Sequence, residues 1–165
     1  MQRRCVALLS ALLVGLALGL MWARPTPYVH SADATANATG PPTVVINEVA
    51  WGGTAASVAD EWIELLNTTE LTVSLTGWRI RAVDGDPDLL LSGDIAPGAT
   101  YLVERTDDDT VSDIDADLVC SFGTGLSNAG ETLVLSDAGG AVQDTVNNDG
   151  GPWPNGSDGA APSFR

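Results

Sequence analysis

Residues 60–67, DEWIELLN, combine three carboxylates with alternating apolar side chains. Because successive side chains of a strand point to opposite faces, this alternation predicts a β-strand whose two faces each carry a glutamate. One face has Glu61, Ile63 and Leu65, and the other has Trp62, Glu64 and Leu66. Neither face is purely apolar. One carboxylate must therefore lie in the core or at its rim.

The preceding segment, VVINEVAW (44–51), shows the same mixture of apolar and polar residues. Strict alternation places Glu48 on the same face as Ile46, and Asn47 on the face of Val45 and Val49. A carboxylate that is buried needs hydrogen-bond donors, because an isolated buried charge is too costly. We expect the donors to be Arg79 and Arg81 of the segment WRIRA, or the backbone amides of residues 52–53. Glu48, Asp60, Glu61 and Glu64 are then structural.

A catalytic interpretation of the same acids stays open. Two carboxylates that flank a sugar bond, with aromatic rings to stack the sugar, are typical of glycosidases. The rings could come from Trp51, Trp62 and Trp78. A sandwich of this size leaves little room for a substrate cleft, which favours the structural interpretation.

From Val44 onward, short β-rich segments alternate with turns. The predicted strands are residues 44–51, 61–69, 72–83 (divided at Gly77), 89–95, 100–105, 118–122, 131–137 and 141–146. Turn residues such as DGDPD and AGG separate them, and no segment keeps a helical apolar period. The pattern predicts an all-β fold, an immunoglobulin-like β-sandwich, although a closed barrel also fits.

The charge and the residue types exclude several classes of function. The formal net charge is −15, from 22 acids and 7 bases. This field repels phosphate backbones and argues against nucleic acid as a partner. The single histidine, His30, lies upstream of the predicted domain, which excludes histidine-based triads and zinc sites there. Cys5 belongs to the leader, so Cys120 has no cysteine in the domain with which to form a disulfide. Its apolar neighbours indicate a small buried hydrophobic residue.

The first 34 residues predict an export signal. MQRR is followed by nineteen uncharged residues, which is long for a signal peptide and enough for a membrane anchor. Ala32 and Ala34 give a small-x-small pattern for cleavage after residue 34, so signal peptide and N-terminal anchor both remain open. Residues 35–43 continue a Pro- and Thr-rich linker. The predicted location is extracellular or associated with the cell envelope.

The segment 107–117, DDDTVSDIDAD, places Asp113, Asp115 and Asp117 at alternate positions, as in the first half of a calcium loop. The glycine and the closing glutamate of that motif are missing. Calcium could bind here, or at Asp84, Asp86 and Asp88. The alternative is a solvated, mobile acidic loop, which is typical of charge runs. No other cofactor is expected.

Three pieces of the chain together resemble the lamin-tail domain. They are VINEVAWGG with DEWIELLN, then VSLTGWRIR, and then LSNAGETLVLSDAGGAVQDTV with GPWPNGSDG, across about residues 43–158. The resemblance implies an immunoglobulin-like module with no catalytic residues and a binding or tethering role. It also implies fold-holding positions at Asn47, Glu48, Trp62, Glu64, Trp78, Gly130 and Asp144.

These observations predict a lamin-tail-like domain at 44–158 and a C-terminal tail at 159–165. The resemblance implies that this tail, which ends in PSFR, is truncated, because family members usually continue past WPNGSDG. The predicted function is a non-enzymatic, exported binding or tethering module of the cell envelope. Its partner would be an envelope component or a protein, with the membrane involved only through the N-terminal segment. The alternatives are a calcium-dependent adhesion module and a small acid-pair polysaccharide hydrolase.

Overall fold

The structure, a computed structural model, describes residues 3–4, 41–154 and 163–164. In these residues the regular elements are all β-strands. The strands are β1 (Arg3–Arg4), β2 (Val44–Ala50), β3 (Trp62–Asn67), β4 (Val73–Ser74), β5 (Arg79–Ala82), β6 (Asp88–Leu90), β7 (Asp94–Ile95), β8 (Thr100–Arg105), β9 (Leu118–Cys120), β10 (Leu133–Ser136), β11 (Val142–Val146) and β12 (Ser163–Phe164).

The strands form two main sheets. The larger sheet has the order β1-β9-β8-β3-β2-β12, the smaller has the order β11-β10-β5-β6, and β4 pairs with β7. Neighbours are antiparallel except at β8–β9 and β1–β9, which are parallel. Fully buried side chains of both sheets, such as Ile63 and Leu65 from β3 and Ile80 and Leu135 from the smaller sheet, form one hydrophobic cluster. The predicted all-β sandwich is confirmed, and the closed barrel is not what forms.

Strand β3 has the faces that its alternation predicts. Ile63 and Leu65 are fully buried and Glu61 is 3% exposed, whereas Trp62 and Glu64 are only half-buried. The first face lies in the core, and the second forms the outer surface of the larger sheet. The two glutamates of this segment therefore belong to different environments.

Strand β2 departs from simple alternation. Its register against β3 places Ile46 opposite Leu65 but Glu48 opposite Glu64, with a shift between the two pairs. Asn47 is the extra residue, so the strand has a β-bulge there. A bulge reverses which side chains point inward beyond it.

Because of the bulge, the faces predicted for this strand by strict alternation are wrong beyond Asn47. Val44 and Ile46 before it and Val49 and Trp51 after it all belong to the core. Glu48 does not share the inner face of Ile46, as strict alternation predicted; it lies on the outer face. The spacing of the buried residues changes from two to three at Asn47, which is the sequence signal of the bulge.

The sheets are joined at one edge by side chains of β11. Asp144 accepts a hydrogen bond from the backbone N–H of Ile46 at 2.8 Å. Gln143 accepts from the backbone N–H and the hydroxyl of Thr43, at 3.4 Å and 3.3 Å. These bonds give acceptors to the N–H of Ile46 in β2 and to the N–H of Thr43 just before it, and they hold β11 against β2.

The single strand predicted at residues 89–95 is two strands in different sheets. β6 pairs with β5, and β7 pairs with β4. Between them Gly93 has a φ of 100°, a conformation that glycine adopts without strain and that breaks the extended chain. The change of sheet keeps Leu89, Leu91 and Ile95 all buried. The segment 89–95 is hydrophobic along its length because it passes from one sheet to another within the core.

Asn67, at the end of β3, is fully buried and organises two loops. Its Nδ2 donates to the carbonyls of Leu71, Ile95 and Ala96 at 2.7–3.0 Å. Its Oδ1 accepts from the backbone N–H of Thr69 at 2.9 Å. The side chain thus supplies donors and an acceptor that the loop backbones would otherwise lack.

We expect Asn67→Ala to lower the free energy of unfolding by about 2–3 kcal/mol, because several buried carbonyls lose their donor. Urea denaturation monitored by tryptophan fluorescence measures the loss. Thr68→Ala, next to it but exposed, serves as the control. Equal stability of the two variants would contradict a central role for Asn67.

The predicted leader (1–34), most of the linker (35–43) and the tail (159–165) lie largely outside the described residues. Their boundaries stay predictions. Among the described residues, no helix is long and apolar enough to span a membrane.

Candidate functional site

The acidic segment between β8 and β9 crosses the outer face of the larger sheet. Since β8 and β9 are parallel neighbours, their connection must return along the sheet, which takes about a dozen residues. Residues 106–117 make this crossover. The acidic loop is thus placed by the topology of the sheet.

Hydrogen bonds attach the crossover to the strand beneath it. The N–H of Val111 donates to Oε1 of Glu104 at 2.8 Å. Asp117 accepts from the N–H of Leu102 at 2.9 Å and donates its own N–H to the carbonyl of Leu102 at 3.0 Å. Within the loop, Asp108 accepts from the N–H of Ala116 at 2.7 Å. The loop is thus exposed along most of its length, as at Asp113 and Asp115, and is attached to the sheet at Val111 and Asp117.

Glu104 lies under the crossover and has no exposed surface. Burial raises the pKa of this carboxyl, while the backbone amides of Val111 and Thr110 oppose the shift and the charges of Asp108 and Asp107 add to it. Its Oε2 has no hydrogen-bond partner. The sequence reasoning missed this residue, because TYLVER reads as an ordinary strand with a polar end.

A groove of about 290 Å³ opens between the crossover and the outer face of the sheet. Its walls combine apolar and acidic side chains. They are Glu48, Trp62, Glu64, Thr100, Leu102, Val111, Ile114 and Asp117. Ile114 at the rim is 58% exposed. The groove is outside the core, so its apolar walls are not needed to hold the two sheets together.

The two glutamates of the groove come from neighbouring strands. Glu48 of β2 lies directly opposite Glu64 of β3. The bulge residue Asn47 donates from Nδ2 to Oε1 of Glu64 at 2.5 Å. Like charges placed opposite each other on a sheet are unfavourable, and a hydrogen bond from an amide orients one of them. The bulge therefore brings both carboxylates to the outer side of the sheet, where Glu48 is 5% exposed and Glu64 is half-buried.

The weak metal candidates do not converge. Asp113 and Asp115 are exposed on the crossover, and the carboxylate of Asp117 accepts a hydrogen bond from the N–H of Leu102. Within residues 41–154, no group of three or more His, Cys, Asp or Glu side chains is arranged to hold a metal ion. Asp113, Asp115 and Asp117 thus contribute charge to the loop, and one of them lines the groove.

In the second calcium candidate, DGDPD, all three carboxylates make hydrogen bonds or ion pairs with other groups of the protein. Asp86 accepts from the N–H and the hydroxyl of Thr124 at 2.9 Å and 2.8 Å, and these two bonds lower the pKa of Asp86. Asp88 pairs with Arg79 at 2.5 Å and with Arg81 at 3.8 Å. Asp84 accepts from the N–H of Asp86 at 3.3 Å.

The first glutamate of DEWIELLN forms a buried ion pair at one end of the sandwich. Oε2 of Glu61 lies 3.1 Å from the guanidinium of Arg105 and accepts from the N–H of Leu126 at 2.8 Å. Burial raises the pKa of Glu61, and the amide of Leu126 and the charge of Arg105 oppose that shift. The expectation that Arg79 and Arg81 serve as its partners is wrong. Both pair with Asp88 on the surface.

Other members of DEWIELLN and its surroundings have local roles. Asp60 accepts a short hydrogen bond from the hydroxyl of Thr54, which closes the loop before β3. Trp78 lies in the core at 7% exposure. Asp144 accepts from the N–H of Ile46, so it is structural as well. Glu48, Trp62 and Glu64 instead line the groove.

The loop that follows β9 is closed by stacked tryptophans. Trp51 and Trp153 have parallel rings with centroids 6.3 Å apart. Nε1 of Trp153 donates to the carbonyl of Ser127 at 2.7 Å. Gly130 in the same loop has a φ of 99°, and an added Cβ would overlap the carbonyl oxygen of Gly151. The segment GPWP therefore completes the core.

Glu131 is a second buried carboxyl in this loop, 7% exposed. Oε1 accepts from the N–H of Ser127 at 2.8 Å, whereas Oε2 has no hydrogen-bond partner. Burial raises the pKa of Glu131 to about 7, and the charges of Asp84, Glu61 and Asp86 add to the shift. The carboxyl is thus partly protonated at neutral pH.

A raised pKa in the folded state favours the protonated form, so this contribution to stability is complete below pH 4.5 and is lost as the pH rises through about 7. We expect the free energy of unfolding of the parent to fall by roughly 2–3 kcal/mol more than that of Glu131→Gln between about pH 5 and pH 8. Denaturation at several pH values measures the difference, with the exposed Glu70→Gln as control. Parallel pH profiles of parent and Glu131→Gln would contradict it.

The two sheets and the core between them define an immunoglobulin-like module that carries a groove on its outer surface. Residues 37–149 match the family described as Lamin Tail Domain. Since the match covers more than half of the chain, the protein belongs to the lamin-tail domain family, a family of immunoglobulin-like, non-catalytic domains. No curated protein matches the chain significantly.

Proposed function

We propose that this chain is a non-enzymatic binding or tethering module that is exported to the cell envelope. The observation that supports the proposal is the groove beside β3, a concave surface with apolar walls and three carboxylates that the core does not use. Recognition sites on proteins commonly combine an apolar surface with a few polar groups that fix orientation.

The charge of the chain restricts the partner. With 22 acids and 7 bases in the sequence, the surface favours cationic or neutral partners and disfavours nucleic acid. Of the arginines, Arg79, Arg81 and Arg105 lie in residues 41–154, and each is ion-paired to Asp88 or Glu61. The partner would be an envelope component or another exported protein.

Export is proposed from the basic start and the long apolar run of the first 34 residues. Expression of the full chain in a bacterial host, followed by fractionation, should place it in the envelope or in the medium. Replacement of Arg3 and Arg4 by glutamate should reduce that export, because positive residues before an apolar run set its orientation. Full recovery of the parent chain from the cytoplasm would contradict the proposal.

Tethering is tested by co-sedimentation of residues 35–165 with isolated envelopes. These residues contain the whole described core, from Val44 to Trp153. We expect pelleting that persists after addition of a calcium chelator. Pelleting that is lost with the chelator would instead favour the calcium-dependent adhesion module, and the absence of pelleting would contradict direct tethering.

A second candidate function, a polysaccharide hydrolase, has one observation in its favour. Glu48 and Glu64 lie opposite each other and share the groove with Trp62. Two carboxylates and an aromatic ring are the parts that glycoside hydrolysis uses. Inactivity of the parent chain on a panel of cell-wall and storage glycans would end this candidate; activity that disappears in Glu64→Gln would support it.

A further inference from the structure

We propose that the groove binds a basic side chain, arginine before lysine, from a protein partner. The inference rests on the proposed function, since it names the chemistry of the ligand for the same site. The occupant inserts its alkyl stem between the apolar walls and places its charged end against the carboxylates.

The size of the groove suits one long side chain. Its volume of about 290 Å³ lies at the lower limit of the roughly 300–1,000 Å³ found for small-molecule sites. Trp62, Leu102, Val111 and Ile114 supply an apolar lining. Arginine and lysine cover such surfaces with their methylene groups and keep the charge at the polar end. A ring such as that of Trp62 can also contact the cation through its face.

The charge of the groove is complementary to a cation. Glu48, Glu64 and Asp117 line it, and no arginine of residues 41–154 does so. Glu48 and Glu64 lie opposite each other on neighbouring strands, with Glu48 deep in the wall at 5% exposure and Glu64 half-buried and more accessible. A guanidinium presents several donors in one plane and matches such paired acceptors better than an ammonium. This geometry favours arginine.

The groove is also held in shape before any ligand arrives. Asn47 orients Glu64 at 2.5 Å, and Asp117 is fixed by the N–H of Leu102. The crossover that carries Val111 is attached to Glu104. Little ordering is therefore needed on binding, which favours affinity for a small ligand group.

A dye-labelled peptide with three arginines separated by glycines, blocked at both ends, tests the proposal with residues 35–165 by fluorescence polarisation. At about 0.15 M salt we expect saturable binding, and at least about tenfold weaker binding of the same peptide with citrulline, which keeps the shape and loses the charge. The lysine peptide should bind about threefold or more weakly than the arginine peptide. No saturable binding of the arginine peptide would overturn the proposal.

Matched variants locate the binding. Glu64→Gln should weaken it by about fivefold or more, while Glu70→Gln, the same change at an exposed glutamate outside the groove, should change it by less than about twofold. Ile114→Ser removes an exposed apolar wall with little risk to folding, and should weaken binding about threefold. Equal losses in Glu64→Gln and Glu70→Gln would mean general charge attraction and would overturn the groove as the site.

The two proposals can fail separately. If envelopes pellet the parent and Glu64→Gln equally and the peptide does not bind, tethering stands and the arginine site falls. If the peptide binds through Glu64 but envelopes do not pellet the chain, the site stands and the envelope as partner falls. An acidic peptide that competes as well as the arginine peptide would also contradict the inference.

Discussion

Replacing Gly130 with alanine should destabilise this domain by about 4 kcal/mol or more, because strain and steric overlap act together. Gly130 has a φ of 99°, where side chains are strained. An added Cβ would overlap the carbonyl oxygen of Gly151 and would lie 3.0 Å from the Cα of Pro152. Both neighbours are backbone, so neither can rotate away. Thermal and urea denaturation measure the effect.

The control for this prediction is Gly98→Ala. Gly98 also has a positive φ, of 63°, but an added Cβ there meets nothing within 4 Å. The control should therefore cost only the conformational strain, about 1–2 kcal/mol. Since Gly130 fixes the loop beneath Trp153, its variant should also change the tryptophan fluorescence of the folded state. Equal destabilisation of both variants would show that the backbone contact is unimportant.

The second large effect is expected for Arg105→Met, which should lower the free energy of unfolding by about 3–5 kcal/mol. Methionine keeps much of the apolar stem but removes the charge that faces Glu61 at 3.1 Å. Glu61 is 3% exposed and would lose its cation. The loss should be smaller at about pH 4 than at pH 8, because protonation of Glu61 removes the uncompensated charge. Chemical denaturation at both pH values tests this.

Arg79→Met provides the matched control. Arg79 pairs with Asp88 at 2.5 Å, but their side chains are 47% and 37% exposed. An exposed pair contributes about 0–1 kcal/mol, so this variant should stay close to the parent. The double variant Arg105→Met with Glu61→Gln should recover part of the lost stability. If the single and double variants are equally unstable, the ion pair is not the cause.

The sequence predicts the sandwich well because its strands are short and separated by strong turn residues. Gly77 divides two strands as expected, and it has a φ of 86°. Alternation also predicts the faces of β3, with Ile63 buried and Glu64 outside. The family resemblance, now shown by the match over residues 37–149, rests on these same segments.

What the sequence leaves open depends on registers and on partners far apart in the chain. One residue, Asn47, reverses the faces of β2, and the change of spacing between the apolar residues there indicates a bulge only once it is known which of them are buried. The partner of Glu61 is Arg105, from a strand that becomes its neighbour only when the sheet forms. The groove needs the parallel arrangement of β8 and β9, which no local pattern predicts.

The contact between Asp144 and Ile46 joins residues that are 98 positions apart, across most of the domain. Loop closure over such a distance has a high entropic cost, and domains rich in distant pairings fold slowly. A chain that becomes available from its N-terminus, as during synthesis, cannot form this contact until β11 is present. The N–H of Ile46 therefore gains the acceptor Asp144 only when nearly the whole domain is present, so the two sheets are joined at this edge late in folding.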